Sequence, residues 1–548
     1  MDYKRIADLI FPNLKYTVDD IEKRYKPRNL EKGQVVSRYA PSPTGYMHVG
    51  NFFQMFISYN LTRVTNGKFF LRIEDTDSKR EKKDATKVIY DILNKFNIKF
   101  DEYQTLDGVD IGDYGPYVQS QRTDIYKAYA KKLVEEGKAF PCFCKKTEGK
   151  EDVLKLRQEK FAEDDEKEYD PCRNLTYEEV KANLDAGKTF AIRLKTKNDG
   201  TQRIKFYDLI KGEIEAKANA KDFVILKNDG IPPYAFAHAI DDTLMGTTIV
   251  VRGEEYISSV PAHIELFEAL GFKLITYCHN PLICKIGDNG NRRKISKRYD
   301  PEADMRFYFE NGYPTDSVLE YLLNIINSKF EGWRAQNPTA PWTDFTFGVN
   351  DITTVAPIFD LVKLSDISKN IISRMTAGEV YQNLLNWAEE YDVEFAKYLK
   401  ANKDYAQNVL NIDRETPKPR KDIFKWSMVK DYFDYMFFKP TKNELDDADK
   451  EKFVEFIEEY SKNYKLESTK EEWFANVKAV AEKLGYATDN KAYKANPEAF
   501  KGNTAKACEF IRIALTGQKN SPDLYEIMKL LGETEIKNRF ENVLKNTK

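Results

Sequence analysis

The sequence predicts an α/β domain built on an open parallel sheet, carrying an α+β insertion and followed by all-helical C-terminal domains. Three observations predict it. Between residues 34 and 73 the patterns run strand, glycine-bearing turn, helix, strand, which is how a parallel α/β sheet opens. From about residue 120 to 220 charged helices mix with short strands. Beyond about residue 300 the strand signal fades and apolar residues recur at helical spacing.

Residues 1–33 are charged and periodic, and Ile6, Leu9, Ile10 and Phe11 mark a short amphipathic helix, read as an N-terminal extension. Gln34–Tyr39 reads as a strand, Ala40–Gly45 as a turn stiffened by Pro41 and Pro43, and Val49–Thr65 as a helix. Asn66 and Gly67 break that helix, and Lys68–Ile73 is the next strand. Ligands of such sheets bind beyond the carboxyl ends of the strands, so residues 38–51 and 74–77 lie where chemistry is expected. Thr189–Leu194 is a strand of the inserted unit. The sheet pattern resumes at Asp222–Lys227 and Thr248–Arg252. In the last third, Phe453, Val454, Phe456, Ile457, Tyr460 and Tyr464 form one helical stripe. Trp473, Phe474, Val477, Val480, Ala481 and Leu484 form another, and Thr416–Lys421 reads as an exposed loop.

Composition bounds the answer without deciding it. At 548 residues the chain has room for three or four domains of roughly 150 residues. The 32% charged fraction does not signal disorder, because 33 Tyr and 34 Phe leave much to bury. Met1–Arg5 contains an acid and has no apolar run behind it, so no secretory signal is expected. No apolar run approaches the ~20 residues that cross a bilayer. Six cysteines are too few for a disulfide framework, which points to a reducing compartment, by default the cytoplasm. Lys and Arg number 86 against 88 Asp and Glu, a net charge of −2 that argues weakly against a nucleic-acid partner. A local basic stripe would still suffice to hold phosphates.

Two short segments carry chemistry. In the first, Gly45 lets the backbone turn sharply and His48-Val49-Gly50-Asn51 opens a helix. A helix N-terminus presents unpaired N–H groups and partial positive charge, which suits a polyphosphate. His48 and Asn51 add side-chain donors, and Gly50 lets a nucleotide approach the backbone. The second, Lys294-Ile295-Ser296-Lys297-Arg298, follows the glycine- and asparagine-rich segment Gly287–Arg293, which can move. A mobile ammonium closing over phosphates stabilises a phosphoryl-type transition state better than the ground state.

Together the two segments resemble the HIGH and KMSKS signatures of class I aminoacyl-tRNA synthetases. Arg38–Gly50 looks like the glutamyl-tRNA synthetase form of the first signature; the glutaminyl relative typically has a Pro-Pro-Glu-Pro-Asn-Gly pattern there. Leu71–Asp77, Tyr117–Arg122, Asp241-Asp242, Val251–Glu255 and Ile511–Gly517 match the same family in order. The likeness runs from about residue 35 to the C-terminus and resembles a longer bacterial subtype.

The resemblance implies a Rossmann-type catalytic domain at 34–120 and 221–300, split by an acceptor-stem-binding insertion at 121–220. A stem-contact helical region at 301–380 and a helical anticodon-binding region at 381–548 follow, with 1–33 as the extension. It implies a reaction in which ATP, with Mg²⁺, activates glutamate to glutamyl-adenylate, and the glutamyl group passes to the 3′ end of tRNA-Glu. Position by position, Arg38, Ala40 and Ser42 match residues that hold glutamate, and Glu74 is placed to receive its ammonium. Tyr234 and Arg252 complete that pocket, with His238 standing where many relatives have Asn. His48, Gly50, Asn51, Glu255, Tyr256, Ile283, Lys294 and Lys297 match the ATP side, and His48, Asn51, Lys294 and Lys297 are the catalytic donors and cations. Asn51 replaces the second histidine of HIGH, so one phosphate donor is weakened or supplied differently. Partners are then glutamate and tRNA-Glu, with no membrane, and we expect a monomer.

Some glutamyl enzymes bind structural zinc in the insertion. Cys142, Cys144 and Cys172 offer three sulfurs here, but Asn174 stands where a histidine ligand would be and only Tyr169 or water could replace it, so zinc stays open at this point. A glutaminyl enzyme is disfavoured by the Ala40–Gly45 turn and the helical tail. The length argues against a small-molecule nucleotidyltransferase, and two intact signatures argue against a silent tRNA-binding protein.

Overall fold

The chain opens on two short helices, α1 (Tyr3–Ile10) and α2 (Val18–Arg24), each capped by its own sequence. Asp2 accepts the Arg5 N–H, and Thr17 and Asp20 close a capping box. The helix expected around Ile6 is there, but it is no appendage. Ile6, Ala7, Ile10, Phe11, Ile21 and Tyr25 are buried in one apolar cluster with Tyr126, Tyr129 and Leu133. Arg28 grips Glu102 with both terminal nitrogens at 2.6 and 2.7 Å.

In this computed structural model, residues 2–43, 45–76, 84–144, 171–466 and 469–547 are described. Strand β1 (Val36–Tyr39) leads through helix α3 (Val49–Val64) to β2 (Lys68–Leu71), which pairs with it in parallel, Arg38 opposite Phe70. α3 buries Phe52, Phe53, Phe56, Ile57 and Leu61. The crossover is tight at Gly67, where an added Cβ would lie 1.8 Å from the Val35 carbonyl oxygen. Helix α4 (Ala85–Lys95), a small hairpin of β3 (Tyr103–Gln104) and β4 (Asp110–Ile111), and helix α5 (Thr123–Glu135) follow.

The next stretch contains β5 (Ala139–Cys142), α6 (Tyr177–Asp185), β6 (Ala191–Leu194), β7 (Arg203–Asp208), β8 (Gly212–Lys217) and β9 (Phe223–Leu226). Here the pairing corrects the sequence reading. The strand expected to resume the main sheet at Asp222–Lys227 is β9, and it instead pairs antiparallel with β6 in the order β5-β6-β9. Conversely β7, inside the stretch read as inserted, lies against the main sheet, its Asp208 level with Tyr277. A four-residue apolar run states that it is buried, not which neighbour buries it.

Helix α7 (Tyr234–Leu244), β10 (Ile249–Gly253), α8 (Val260–Leu270) and β11 (Thr276–Asn280) complete the α/β layer, β10 and β11 being parallel with Arg252 opposite His279. β1 runs beside β10: Thr248 N donates to Val36 O at 2.9 Å, and Ser37 Oγ to Ile249 O at 2.9 Å. The order across the sheet is therefore β2-β1-β10-β11-β7-β8. The glycine- and asparagine-rich segment read as able to move is the turn of an antiparallel hairpin, β12 (Cys284–Ile286) with β13 (Arg292–Lys294).

All of these elements belong to one of two units, Met1–Phe307 with Leu319–Asp360; Tyr308–Val318 with Leu361–Lys548 form the other. The second unit contains helices and no strand among its described residues. One of its apolar clusters gathers Val380, Leu384, Leu399 and Val409, another Phe456, Tyr460, Val477 and Ile511. The two stripes read from the sequence are helices Lys450–Asn463 and Lys470–Lys483, although Phe474 turns outward and is exposed. No helix among the described residues is long and apolar enough to cross a membrane.

Candidate active site

The carboxyl ends of β1, β2, β10 and β11 carry the candidate residues, as expected for an open parallel sheet. Arg38, one residue before the end of β1, is almost fully buried, with its Nε 3.2 Å from both oxygens of Asp242. Asp242 also accepts Arg72 Nη1 at 2.7 Å and lies 2.5 Å from His238 Nδ1. Its neighbour on α7, Asp241, accepts Arg122 Nε at 2.7 Å, Gln119 Nε2 at 2.9 Å and Tyr126 Oη at 2.7 Å. Two adjacent buried carboxylates thus neutralise arginines that would otherwise be costly to bury. Burial works against the Arg38 charge, but Asp242 outweighs it and holds the guanidinium above its ordinary pKa. Burial likewise opposes the Asp242 charge, and Arg38 and Arg72 drive it well below the usual carboxylate range.

Glu74 follows β2. Its Oε1 accepts Arg72 Nη2 at 3.0 Å, its backbone N–H donates to Pro41 O, and burial raises its pKa. That backbone bond ties the turn holding Ala40, half-buried, and Ser42, exposed, to the end of β2. Tyr234 begins α7, stacks on His238 with ring centroids 5.3 Å apart, and accepts Arg252 Nη1 at 3.3 Å. Arg252 is buried, and its Nη2 has no hydrogen-bond partner among the described residues. Burial pushes the His238 pKa down to about 4 against the pull of Asp242.

The two signatures meet. His48 caps α3, its Nδ1 accepting the Gly50 N–H at 2.9 Å, so the ring proton sits on Nε2. A backbone hydrogen bond joins the ring to Ile295, and burial, then Lys297 and Lys294, lowers its pKa to about 4. Lys297 Nζ donates to the Tyr46 carbonyl. Lys294 Nζ lies 3.4 Å from Glu255, and Tyr256 sits beside Tyr234, 5.6 Å between centroids. Asp300 anchors the stretch, taking Arg293 at 2.6 and 2.7 Å and the Ser296 N–H at 2.8 Å. Asn51 is exposed in the first turn of α3. Ile283 is buried and its carbonyl accepts from Ile295 N, while its backbone N–H is the donor it can offer a nucleotide. Thr44, Asp77 and Tyr169 lie outside the described residues.

Cys142, Cys144 and Cys172 converge, their sulfurs all within 4.8 Å of one another. The Cys144–Cys172 distance of 3.6 Å is close to the ~3.8 Å between ligands of a tetrahedral zinc with bonds of ~2.3 Å. The donors fit a zinc ion, and the fourth ligand is absent among the described residues. Asn174 turns its Oδ1 toward Lys195 at 3.4 Å.

Sequence reasoning missed Arg72 as the bridge between Asp242 and Glu74, and it missed Asp208, His263, Tyr277 and His279 around Arg252. One signal was available: of the chain's four histidines, three fall between residues 238 and 279.

Comparison with known proteins gives the family of the chain. Residues 34–332 match the family model described as the catalytic domain of class I tRNA synthetases (E and Q), and residues 379–544 match an anticodon binding domain. A glutamate–tRNA ligase of Clostridium perfringens (strain SM101 / Type A) is 43% identical over 555 residues, 99% of this chain and 100% of the relative. One of Acetivibrio thermocellus is 41% identical, again over 99% and 100%. The crystal structure of a glutamate-tRNA synthetase from Elizabethkingia anophelis superposes with a TM-score of 0.72 at 25% identity, covering 93% of this chain and 100% of that one.

Proposed function

This chain belongs to the glutamate–tRNA ligase family of class I aminoacyl-tRNA synthetases, and on that premise we propose which of its residues perform each part of the reaction. The enzyme joins glutamate to tRNA-Glu at the expense of ATP. In the first step a glutamate α-carboxylate oxygen bonds to the α-phosphorus of ATP and pyrophosphate leaves. In the second, a ribose hydroxyl of the terminal adenosine takes the glutamyl carbonyl and AMP leaves. Neither step needs a protein nucleophile, so the residues contribute position and charge.

Arg38 and Arg252 are the cations that read glutamate, and Glu74 and Tyr234 complete the site around its ammonium and carboxylates. Ala40 and Ser42 line it through the turn after β1, and His238 buttresses Tyr234 by stacking. Asn51 donates to phosphate from the start of α3, His48 does so by giving up its bond to Ile295, and Gly50 admits the nucleotide to the backbone. Glu255, Tyr256 and the Ile283 N–H hold the nucleotide, and Lys294 and Lys297 stabilise the charge that develops as pyrophosphate departs. Among the described residues only the cysteines form a ready-made ion site, so Mg²⁺ belongs with the phosphates of ATP, whose charge it neutralises when bound. Cys142, Cys144 and Cys172 would hold a structural zinc in the insertion. We further propose that the enzyme acts in the cytoplasm as a monomer.

The observation that carries this reading is the pair of buried arginines. Among the described residues Arg38 is bonded through Nε to Asp242, and Arg252 has a buried Nη2 without a partner. A buried donor left unpaired costs ~1–3 kcal/mol, more when charged, and a substrate carboxylate would remove that cost at Arg252. Glutamine would set an NH₂ donor against a fork that only donates. The test is Arg38→Gln, with pyrophosphate exchange measured in the presence of tRNA for both amino acids. Glutamate activation should fall on the order of a hundredfold, and the preference over glutamine should narrow. An unchanged glutamate-to-glutamine ratio would move the reader's role to Arg252.

A further inference from the structure

Three adjacent strands carry an acid, an imidazole and a guanidinium in a row. Asp208 ends β7, His279 lies in β11, and Arg252 lies in β10 directly opposite His279. Asp208 is fully buried and takes four donors. Ile210 N and Lys211 N reach Oδ1 at 2.9 Å each, while His279 N reaches Oδ2 at 3.1 Å and His279 Nδ1 lies 2.7 Å from the same oxygen. On the far side of the ring, Arg252 Nε lies 2.9 Å from His279 Nε2.

The chemistry of the two ends fixes the ring between them. Arginine has donors and no acceptor, so His279 Nε2 must accept, and its single proton must sit on Nδ1, facing Asp208. A carboxylate is the partner that demands this tautomer. Burial, which lowers the His279 pKa, keeps the ring neutral. Arg252 is then held on one edge by His279 and at Nη1 by Tyr234, and its Nη2 is buried with no partner among the described residues.

Building on the role of Arg252 in the glutamate site, we propose that Asp208 and His279 are positioning residues for amino-acid binding. Asp208 sets the tautomer of His279, and His279 orients Arg252 so that its Nη2 meets a substrate carboxylate. Asp208 comes from the stretch read as the inserted unit, so a segment expected only to touch nucleic acid also shapes the amino-acid site.

The test separates tautomer control from simple packing. Asp208→Asn keeps an oxygen for Ile210 N and Lys211 N, but can turn an amide N–H toward His279 Nδ1 and move the ring proton to Nε2, against Arg252. The KM for glutamate should rise roughly ten- to a hundredfold, with the KM for ATP and kcat at saturating glutamate changing less than about threefold. His279→Gln, whose amide can accept from Arg252 and donate to residue 208, should stay near wild type. The pair Asp208→Asn/His279→Gln should recover most of the loss, because glutamine has no tautomer to be set wrongly. If Asp208→Asn does not fold, His279→Phe against His279→Gln gives the same contrast in glutamate KM. A glutamate KM unmoved by Asp208→Asn while Arg252→Gln raises it overturns the proposal, as does a double variant no better than Asp208→Asn. If Arg252→Gln itself leaves the glutamate KM unchanged, the role given to Arg252 fails first.

Discussion

His48 and Lys297 show how single side chains divide the charge at the nucleotide end. The His48 ring is kept neutral by burial and by the two lysines, so it offers one fixed N–H and no charge. Lys297 is exposed and brings an ammonium to the Tyr46 carbonyl, in the turn that precedes the helix. A cation on a surface turn can follow charge as it moves from the α-phosphate onto pyrophosphate, which makes its contribution larger in the transition state than in the ground state. Lys297→Ala should therefore slow single-turnover adenylate formation on the order of a hundredfold, with glutamate affinity altered only a few fold. A normal activation rate in that variant would remove Lys297 from the chemistry. At this scale the ordered motif blocks were legible: Arg38, Glu74, His48 and Lys297 could each be named from neighbours in sequence. Asp208 and His279 could not. Each sits alone on its strand with no motif around it, and only the register of β10, β11 and β7 makes them neighbours.

Elements were legible where periodicity was strong and less so where it was short. The sequence places α3 and the strands flanking it within two residues of their observed ends, because helix period, turn and strand follow without a gap. It places β9 in the wrong sheet, because its four residues carry no partner information. It also reads Asn66-Gly67 only as a helix breaker, whereas the structure adds a packing reason. The chain passes so close to β1 there that a methyl group on Gly67 would meet the Val35 carbonyl oxygen at 1.8 Å. Lys68 N bonds that same oxygen at 2.9 Å, so neither strand can give way without loosening the β1–β2 pairing. Gly67→Ala should therefore cost about 1–3 kcal/mol, seen as a lower denaturant midpoint. Because β1 and β2 carry Arg38 and Glu74, glutamate binding should weaken with it. An alanine variant as stable as the parent would mean that the crossover has slack the packing denies.

At the scale of the whole chain, charge legibility was poorest: a net −2 conceals how unevenly titratable groups are placed. All four histidines fall in the unit formed by Met1–Phe307 and Leu319–Asp360, and the other unit has none. Burial lowers the pKa of His48 and His238 to about 4, and it also moves that of His279 downward. A histidine whose folded pKa lies below its unfolded value of about 6.5 binds fewer protons folded than unfolded across that gap. Its contribution to stability is whole above pH 6.5 and is lost as pH falls toward the folded value. For fully buried His238 the loss approaches about 1.4 kcal/mol for each pH unit crossed. Glu74 runs the other way, since its raised pKa makes acid relieve rather than strain the fold, but one carboxylate offsets only part of three imidazoles. In the helical unit, Asp392, Asp446 and Glu459 have lowered pKa values, and their contribution fades only as pH falls below the ordinary carboxylate range toward those lowered values. Between pH 7 and 5 acid should therefore weaken the first unit and spare the second. Hydrogen exchange on the intact chain, normalised to the intrinsic rate at each pH, checks this. Protection should fall in peptides from α7 and β11 while peptides from Lys450–Asn463 and Thr504–Thr516 hold theirs. Equal losses in both units would mean that the buried histidines do not govern acid sensitivity.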